Sequence, residues 1–175
     1  MADTNLVRLH THSQVSGRLS YDAETGVLTW RDNPAWTIQQ RAKYLGKPAG
    51  YRSHGYVIVM VDGKNYRAHQ LAWLLSFGAW PEGSLDHINC NRADNRLVNI
   101  RQATPSQNGH NRCAPRNNTS GMKGASFSKS NKAWQAQIGF RGVKTHLGFF
   151  ETPEDAHQAY CRAAERMHGV FARTS

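Results

Sequence analysis

Acidic side chains are missing from a long stretch of this sequence: no Asp or Glu occurs from Asn95 to Phe150. The same stretch carries Arg96, Arg101, Arg112, Arg116, Lys123, Lys129, Lys132, Arg141 and Lys144. A solvated face of mixed charge would intersperse both signs, so this one-sided run points to a polyanionic partner. Cysteine is scarce as well. Cys90, Cys113 and Cys161 include no Cys-x-x-Cys pair, which argues against a disulfide framework and against zinc, and fits reduced thiols. No apolar run is long enough to span a bilayer or to serve as a signal peptide. The expectation is a soluble, intracellular, cytoplasmic protein with no membrane partner.

What is present is globular. The 175 residues suffice for one ordinary domain or two small ones, and five Trp, six Tyr and six Phe supply dense apolar mass. Residues 1–15 are polar and read as a ragged end. Leu19 to Tyr21 and Val27 to Trp30 flank a turn and read as a hairpin. Residues 31–47 lack a clear period and read as loop with one short helix. Tyr56 to Val61, the Asp62-Gly63 turn and Asn65 to Ala68 form a second hairpin. His69 to Phe77 reads as a mostly buried short helix ended by Gly78, with His69 as a structural, hydrogen-bonded histidine. Thr104-Pro105-Ser106-Gln107 carries the signature of a capped helix start. Residues 113–120, rich in Pro, Asn and Ser, are the best linker candidate.

Three strands then follow, 123–128, 133–140 and 145–150. After them comes a helix capped by Thr152, with Pro153 at its first position and Gly169 at its end. Ala156, Ala159, Tyr160, Ala163, Ala164 and Met167 make one apolar stripe on it. The fold class is therefore α+β. Residues 16–112 make one module with N-terminal hairpins; residues 121–175 make a three-stranded antiparallel sheet packed on one helix.

The chemistry concentrates between Leu85 and Asn108. Cutting a phosphodiester needs a base to take a proton from water, and positive charge for the phosphorane and the departing 3′ oxygen. Adjacent Asp86 and His87 supply a hard oxygen ligand and an imidazole base. On a strand such neighbours point to opposite faces, so the pair needs a twisted or terminal strand to converge. Asn99, beyond a loop of Asn, Asp and Arg, suits orienting the imidazole or pinning the loop. Asn108, on the first turn of the capped helix, offers an amide oxygen as a second metal ligand. Each of these residues alone reads as turn chemistry; the full set does not.

The run DHINCNRADNRLVNIR followed by Gln107-Asn108, preceded by YRAHQLAWLLSFGAWP, resembles the homing-endonuclease type of the HNH nuclease family, found in phages and mobile introns. The match covers about 56–112, and the upstream YDAETGVLTW fits the family's usual leader. The resemblance implies a ββα-metal fold and hydrolysis of double-stranded DNA. It makes Asp86 and Asn108 ligands of one divalent cation, Mg2+ or alternatively Mn2+, with His87 the general base and Asn99 the residue that holds the base and the loop. Cys90 stands where relatives commonly have Gly, and Gln70 where they usually have Arg. If that Gly supplies a positive φ, Cys90 strains the turn.

The run KGASFSKSNKAWQAQI, with the later THLGFFETPEDAHQAYCRAAERMHG, resembles the DNA-binding domain of plant ethylene-response factors. That resemblance, with the basic sheet itself, makes Lys123, Ser126, Ser128, Lys132, Gln135, Gln137, Arg141, Lys144 and His146 the DNA-binding set. A Gln reads base edges and a Lys or Arg holds phosphates. Several of these positions are Arg or Trp in the plant proteins, so the plant target does not transfer. A monomer with one active site favours nicking over a double-strand cut. Two rivals share these features: a non-catalytic DNA-binding regulator on the same scaffold, and an RNA-binding or RNA-cleaving protein, for which stacking aromatics are few.

Overall fold

The structure, a computed structural model, describes residues 9–111, 118, 120–140 and 142–172. Arg112, Cys113, Arg116, Arg141 and most of the 113–120 linker lie outside the described residues. The chain divides into two compact units, Met1–Gln102 and Ala103–Ser175. The division falls before the expected linker because the helix Pro105–His110 contacts the 3-10 turn Gly169–Phe171 near the chain's end.

The first unit begins with α1 (His12–Ser16). Sequence alone leaves this segment ragged, but Thr11 and Gln14 close a capping box with bonds of 3.3 and 2.8 Å, and Val15 is fully buried. A five-residue helix is not stable by itself; burial of Val15 and the bond from the Trp80 indole to the His10 carbonyl, at 2.9 Å, hold it down. Strands β1 (Leu19–Tyr21) and β2 (Leu28–Trp30) pair as a hairpin, and α2 (Ile38–Tyr44) lies in the stretch that lacks a period.

Strands β3 (Tyr51–Ser53), β4 (Tyr56–Val61) and β5 (Lys64–Arg67) form an antiparallel meander. β3 was not legible in the sequence. In β4 the alternation works as a half-buried strand should: Val59 and Val61 are buried while Met60 is exposed. Asp62 and Gly63 both take positive φ, as a two-residue hairpin turn of this hand requires. Helix α3 (Ala68–Phe77) drops Leu71 and Leu74 into the core with Val59, Val61 and Leu19. Each such side chain stabilises the unit by roughly 1.5–3 kcal/mol. Phe77, counted in the apolar pattern, is exposed. Strands β6 (Ser84–His87) and β7 (Ile100–Ala103) pair in a separate two-stranded sheet.

The second unit starts with α4 (Pro105–His110), whose capping box joins Thr104 and Gln107 at 2.8 and 3.2 Å. It continues with β8 (Ala125–Ser128), β9 (Ala133–Phe140) and β10 (Val143–Phe150), β9 in the middle, and ends with α5 (Pro153–His168). Ala136 packs against Ala156, and Ile138 against Tyr160 and Ala164. Small residues at these crossings let the helix come close. At Gly124 the approach is closest: a Cβ there would lie 2.1 Å from the Tyr160 ring. Met167 departs from the expected stripe and is exposed. Among the described residues no helix is long and apolar enough to cross a membrane.

Candidate active site

The loop between β6 and β7 is built from side chains that stand in for a ladder. Asn89 Oδ1 accepts from the Asn91 amide at 2.8 Å, and Asn91 Oδ1 from that of Ala93 at 3.1 Å. Asp94 receives both nitrogens of the Arg96 fork, at 2.8 and 2.6 Å, and the Asn89 amide at 2.7 Å. The Arg96 bond leads the interactions that lower the Asp94 carboxyl to about 2. Asn99 ties the loop's two sides together: its Oδ1 accepts from the Asn89 backbone at 2.9 Å, and its Nδ2 donates to the Asp94 carbonyl at 2.8 Å.

The β1–β2 hairpin holds this loop from outside. The Tyr21 hydroxyl donates to the Asn95 carbonyl at 2.7 Å, and the Leu97 amide to that of Ala23 at 3.0 Å. Burial pushes the Tyr21 phenol up to about 12, so it stays a donor. Gly26 is required here. It has φ +74°, and a Cβ would sit 2.4 Å from the Arg96 nitrogen.

Asp86 and His87 end β6 and are both buried. Their side chains meet different partners, yet the Asp86 carboxylate is near enough to raise the His87 pKa electrostatically. Asp86 meets Arg101 of β7, whose Nε and Nη2 reach the same carboxylate oxygen, Oδ2, at 3.1 and 3.0 Å. His87 instead enters an aromatic box. The His69 ring stands edge-on to it at 4.7 Å, and Tyr56 lies 6.2 Å away. Asn95 Oδ1 is 3.5 Å from its Nε2. Desolvation lowers the His87 pKa and outweighs the Asn95 contact, which raises it. The imidazole is therefore neutral at physiological pH, as a base must be. Arg67 and Arg92 flank Tyr56 with their guanidinium groups 4.4 and 4.9 Å from its ring centroid.

The structure thus brings Asp86, His87 and Asn99 into one unit. Asn99 contacts the loop backbone, and the amide beside the imidazole is that of Asn95. Asn95 was missed because it sits in an Asn-rich run with nothing to single it out. Asn108 lies on α4 in the other unit, half-buried, its backbone amide bonded to Thr104 at 2.9 Å. Cys90 takes φ +60° and donates its amide to the His87 carbonyl at 2.9 Å. A glycine would adopt that turn without strain. In the second unit, strand register puts Ser126 opposite Gln135, Gln137 opposite His146 and Gly139 opposite Lys144. With Ser128, these side chains share the sheet face away from α5. Gln135 Nε2 lies 3.0 Å from His146 Nδ1. Lys132 is exposed in the β8–β9 turn, and Lys123 precedes β8 with its ammonium 5.8 Å from the Tyr160 ring centroid.

His69 departs from the expected hydrogen-bonded histidine: its Nδ1 is buried with no hydrogen-bond partner among the described residues. Burial, followed by His87 and Arg67, lowers its pKa from 6.5 to about 3. Folded His69 resists protonation while the unfolded chain accepts a proton below about pH 6.5, so stability falls as pH drops from there toward 3. At pH 5 the loss is roughly 2 kcal/mol. Thermal melts at pH 7.5 and pH 5 are expected to show a smaller pH effect for His69→Phe than for the unmutated chain. Equal pH effects in the two proteins would refute this.

Residues 66–110 match the family profile described as HNH endonuclease. Protein 3.8 of Escherichia phage T7 is 34% identical over 108 residues, 61% of this chain and 88% of that protein. An uncharacterized HNH endonuclease, L560, of Acanthamoeba polyphaga mimivirus is 31% identical over 139 residues, 78% of this chain and 68% of its own length. No solved structure matches.

Proposed function

The chain belongs to the HNH endonuclease family, and we propose that it hydrolyses double-stranded DNA in a divalent-cation-dependent reaction, targeted by its C-terminal sheet. The observation that carries this reading is the buried, neutral His87 beside a buried carboxylate, on a strand whose loop is pinned by side-chain bonds.

His87 is the base. The Asn95 amide nitrogen donates to the Ala93 carbonyl at 3.2 Å, which turns Asn95 Oδ1 toward the imidazole. An amide oxygen can only accept, so Nε2 carries the ring proton and Nδ1 takes the proton of the attacking water. His69 and Tyr56 pack the ring and keep it desolvated. Arg67 and Arg92, both exposed, supply positive charge for phosphates next to the scissile one.

Asp86 is the residue of the first unit that would hold the cation, and the family resemblance makes Asn108 its second ligand. Among the described residues no group of three or more His, Cys, Asp or Glu forms. A carboxylate and an amide oxygen, completed by water and phosphate, suit a hard ion such as Mg2+, or Mn2+ in its place. When bound, the cation supplies charge for the phosphorane and the departing 3′ oxygen. Arg101 pairs with the Asp86 carboxylate at 3.0 Å.

The sheet face of Ser126, Ser128, Gln135, Gln137, Lys144 and His146, with Lys123, Lys132 and Arg141, is the targeting surface. Its likeness to the ethylene-response-factor domain supports binding in the major groove, with the two Gln at base edges. A homing-type role in a phage or mobile element is in keeping with the viral relatives.

Supercoiled plasmid tests the reading. Nicked circles are expected with Mg2+, none with EDTA, and none with Asp86→Asn at any Mg2+ concentration. Equal nicking in EDTA would remove the cation from the proposal. Tight DNA binding with no nicking under any condition would favour the non-catalytic regulator.

A further inference from the structure

Away from His87, the first unit contains a cavity of about 510 Å3. Its walls include Trp30, Trp36, Tyr44, Arg18, Lys43 and Lys47. The three aromatic rings touch with centroids 5.6 to 6.3 Å apart, at interplanar angles of 44° to 73°. None lies flat on another, so ring surface remains for a further flat group. Asn33 fixes Trp36: its carbonyl accepts the Trp36 amide at 2.9 Å, and its side chain accepts from Ala35 at 3.0 Å. Apolar walls with a few charged groups, at this volume, are what small-ligand sites look like (roughly 300–1,000 Å3).

Charge decides the class of ligand. An aromatic cluster can bind a cation, but here the Lys43 ammonium already sits 5.1 Å from the Tyr44 ring centroid. Asp62, the acidic residue in the lining, is paired with Arg18 at 3.2 Å. Lys43 and Lys47 leave the cavity positive, so the fitting ligand is a flat ring that carries an anion.

Position adds a second argument. Tyr56 and Met60 lie on the same face of β4, because side chains two and four apart along a strand point the same way. Tyr56 packs beside His87, and Met60 lines the cavity. The separation along the strand is roughly 13 Å, about four phosphate steps of duplex DNA.

We propose that this cavity receives an unstacked nucleotide of the DNA substrate, its base among Trp30, Trp36 and Tyr44 and its phosphate on Lys43 and Lys47. The proposal rests on the nuclease reading for the identity of the strand. It assigns the N-terminal module a nucleotide contact separate from both the scissile phosphate and the C-terminal sheet. Aromatic platforms beside basic side chains bind single strands in this way, with little sequence preference.

The test is carried out on the full chain with His87→Ala, in EDTA at fixed salt, so that no strand is cut. The probe is a single-stranded oligonucleotide containing 2-aminopurine, whose fluorescence falls when the base stacks. Quenching on binding is expected. Trp36→Ala is expected to weaken binding about tenfold and to remove the quenching. The doubly substituted Lys43→Glu, Lys47→Glu protein, changed only at exposed positions, is expected to do the same. Affinity for an intact duplex should fall less than affinity for the single strand in either, because a paired nucleotide must first be unstacked. The proposal is overturned if the oligonucleotide does not bind, if neither variant changes its binding, or if duplex binding falls equally. Failure of the nuclease reading would appear elsewhere, as an unmutated chain that never nicks plasmid in Mg2+.

Discussion

His87→Ala is expected to lower plasmid nicking by about 10²- to 10⁴-fold, the usual worth of a positioned general base, while DNA affinity stays within about twofold. The two halves of this expectation have different physical origins. The rate falls because no other described side chain in the box can take the proton: Tyr56 is a weak base, and His69 is buried with its pKa lowered to about 3. Affinity holds because it comes from basic side chains and the sheet, and a ring that is 5% exposed adds little to phosphate contacts. Truncating a buried ring also leaves a void beside His69 and Tyr56. His87→Gln should therefore be measured beside it, since it fills most of the space without supplying an imidazole. Equal loss of nicking in both variants, with duplex binding intact, identifies the imidazole. Cleavage at the unmutated rate by either variant would remove His87 from the mechanism.

Where a local rule governed the chain, the sequence was readable. Thr104 with Gln107, and Thr152 with Asp155, mark helix starts because the caps are made by residues three apart. Asp62-Gly63 marks a hairpin because few residues tolerate two successive positive φ angles. Cys90 belongs to the same class: the turn expected to be strained there takes φ +60°.

Other features depend on which groups meet across the fold. Nothing in the spacing of Asn89, Asn91, Asn95 and Asn99 says which amide faces the imidazole and which bonds the backbone. That division is set by the β1–β2 hairpin, through Tyr21 and Gly26, pressing Asn95 into place. The Asp86–Arg101 pair is likewise a product of strand pairing between β6 and β7. The surroundings of His69 depend on His87, which lies on a different element. The helix around Val15 escapes a sequence reading for the same reason, since it is held by partners distant in sequence; β3 is only three residues long and pairs locally with β4.

Asn99→Ala is expected to cost about 2 kcal/mol of stability, from two half-buried hydrogen bonds broken at once and two backbone groups that lose their partner. Those groups are the Asn89 amide and the Asp94 carbonyl, on opposite sides of the loop. The same loop carries Asn95 to the imidazole and ends β6 through the Cys90 amide on the His87 carbonyl. Nicking should therefore fall even at temperatures well below the melting point of the variant, and the loss should exceed what the unfolded fraction explains. Asn99→Asp makes the contrast sharper. It keeps an acceptor for Asn89 but replaces the donor to Asp94 with a charged oxygen facing a carbonyl, so it should recover little of either property. Arg96→Ala, which breaks an exposed pair on the same loop, is expected to leave nicking nearly unchanged, because the Asn99 bridge is untouched. Urea unfolding and plasmid nicking, run on the three variants at one temperature, separate these outcomes. Full activity in Asn99→Ala would mean that the loop does not position His87, and that the base is held by its other contacts, Tyr56 and His69 among them.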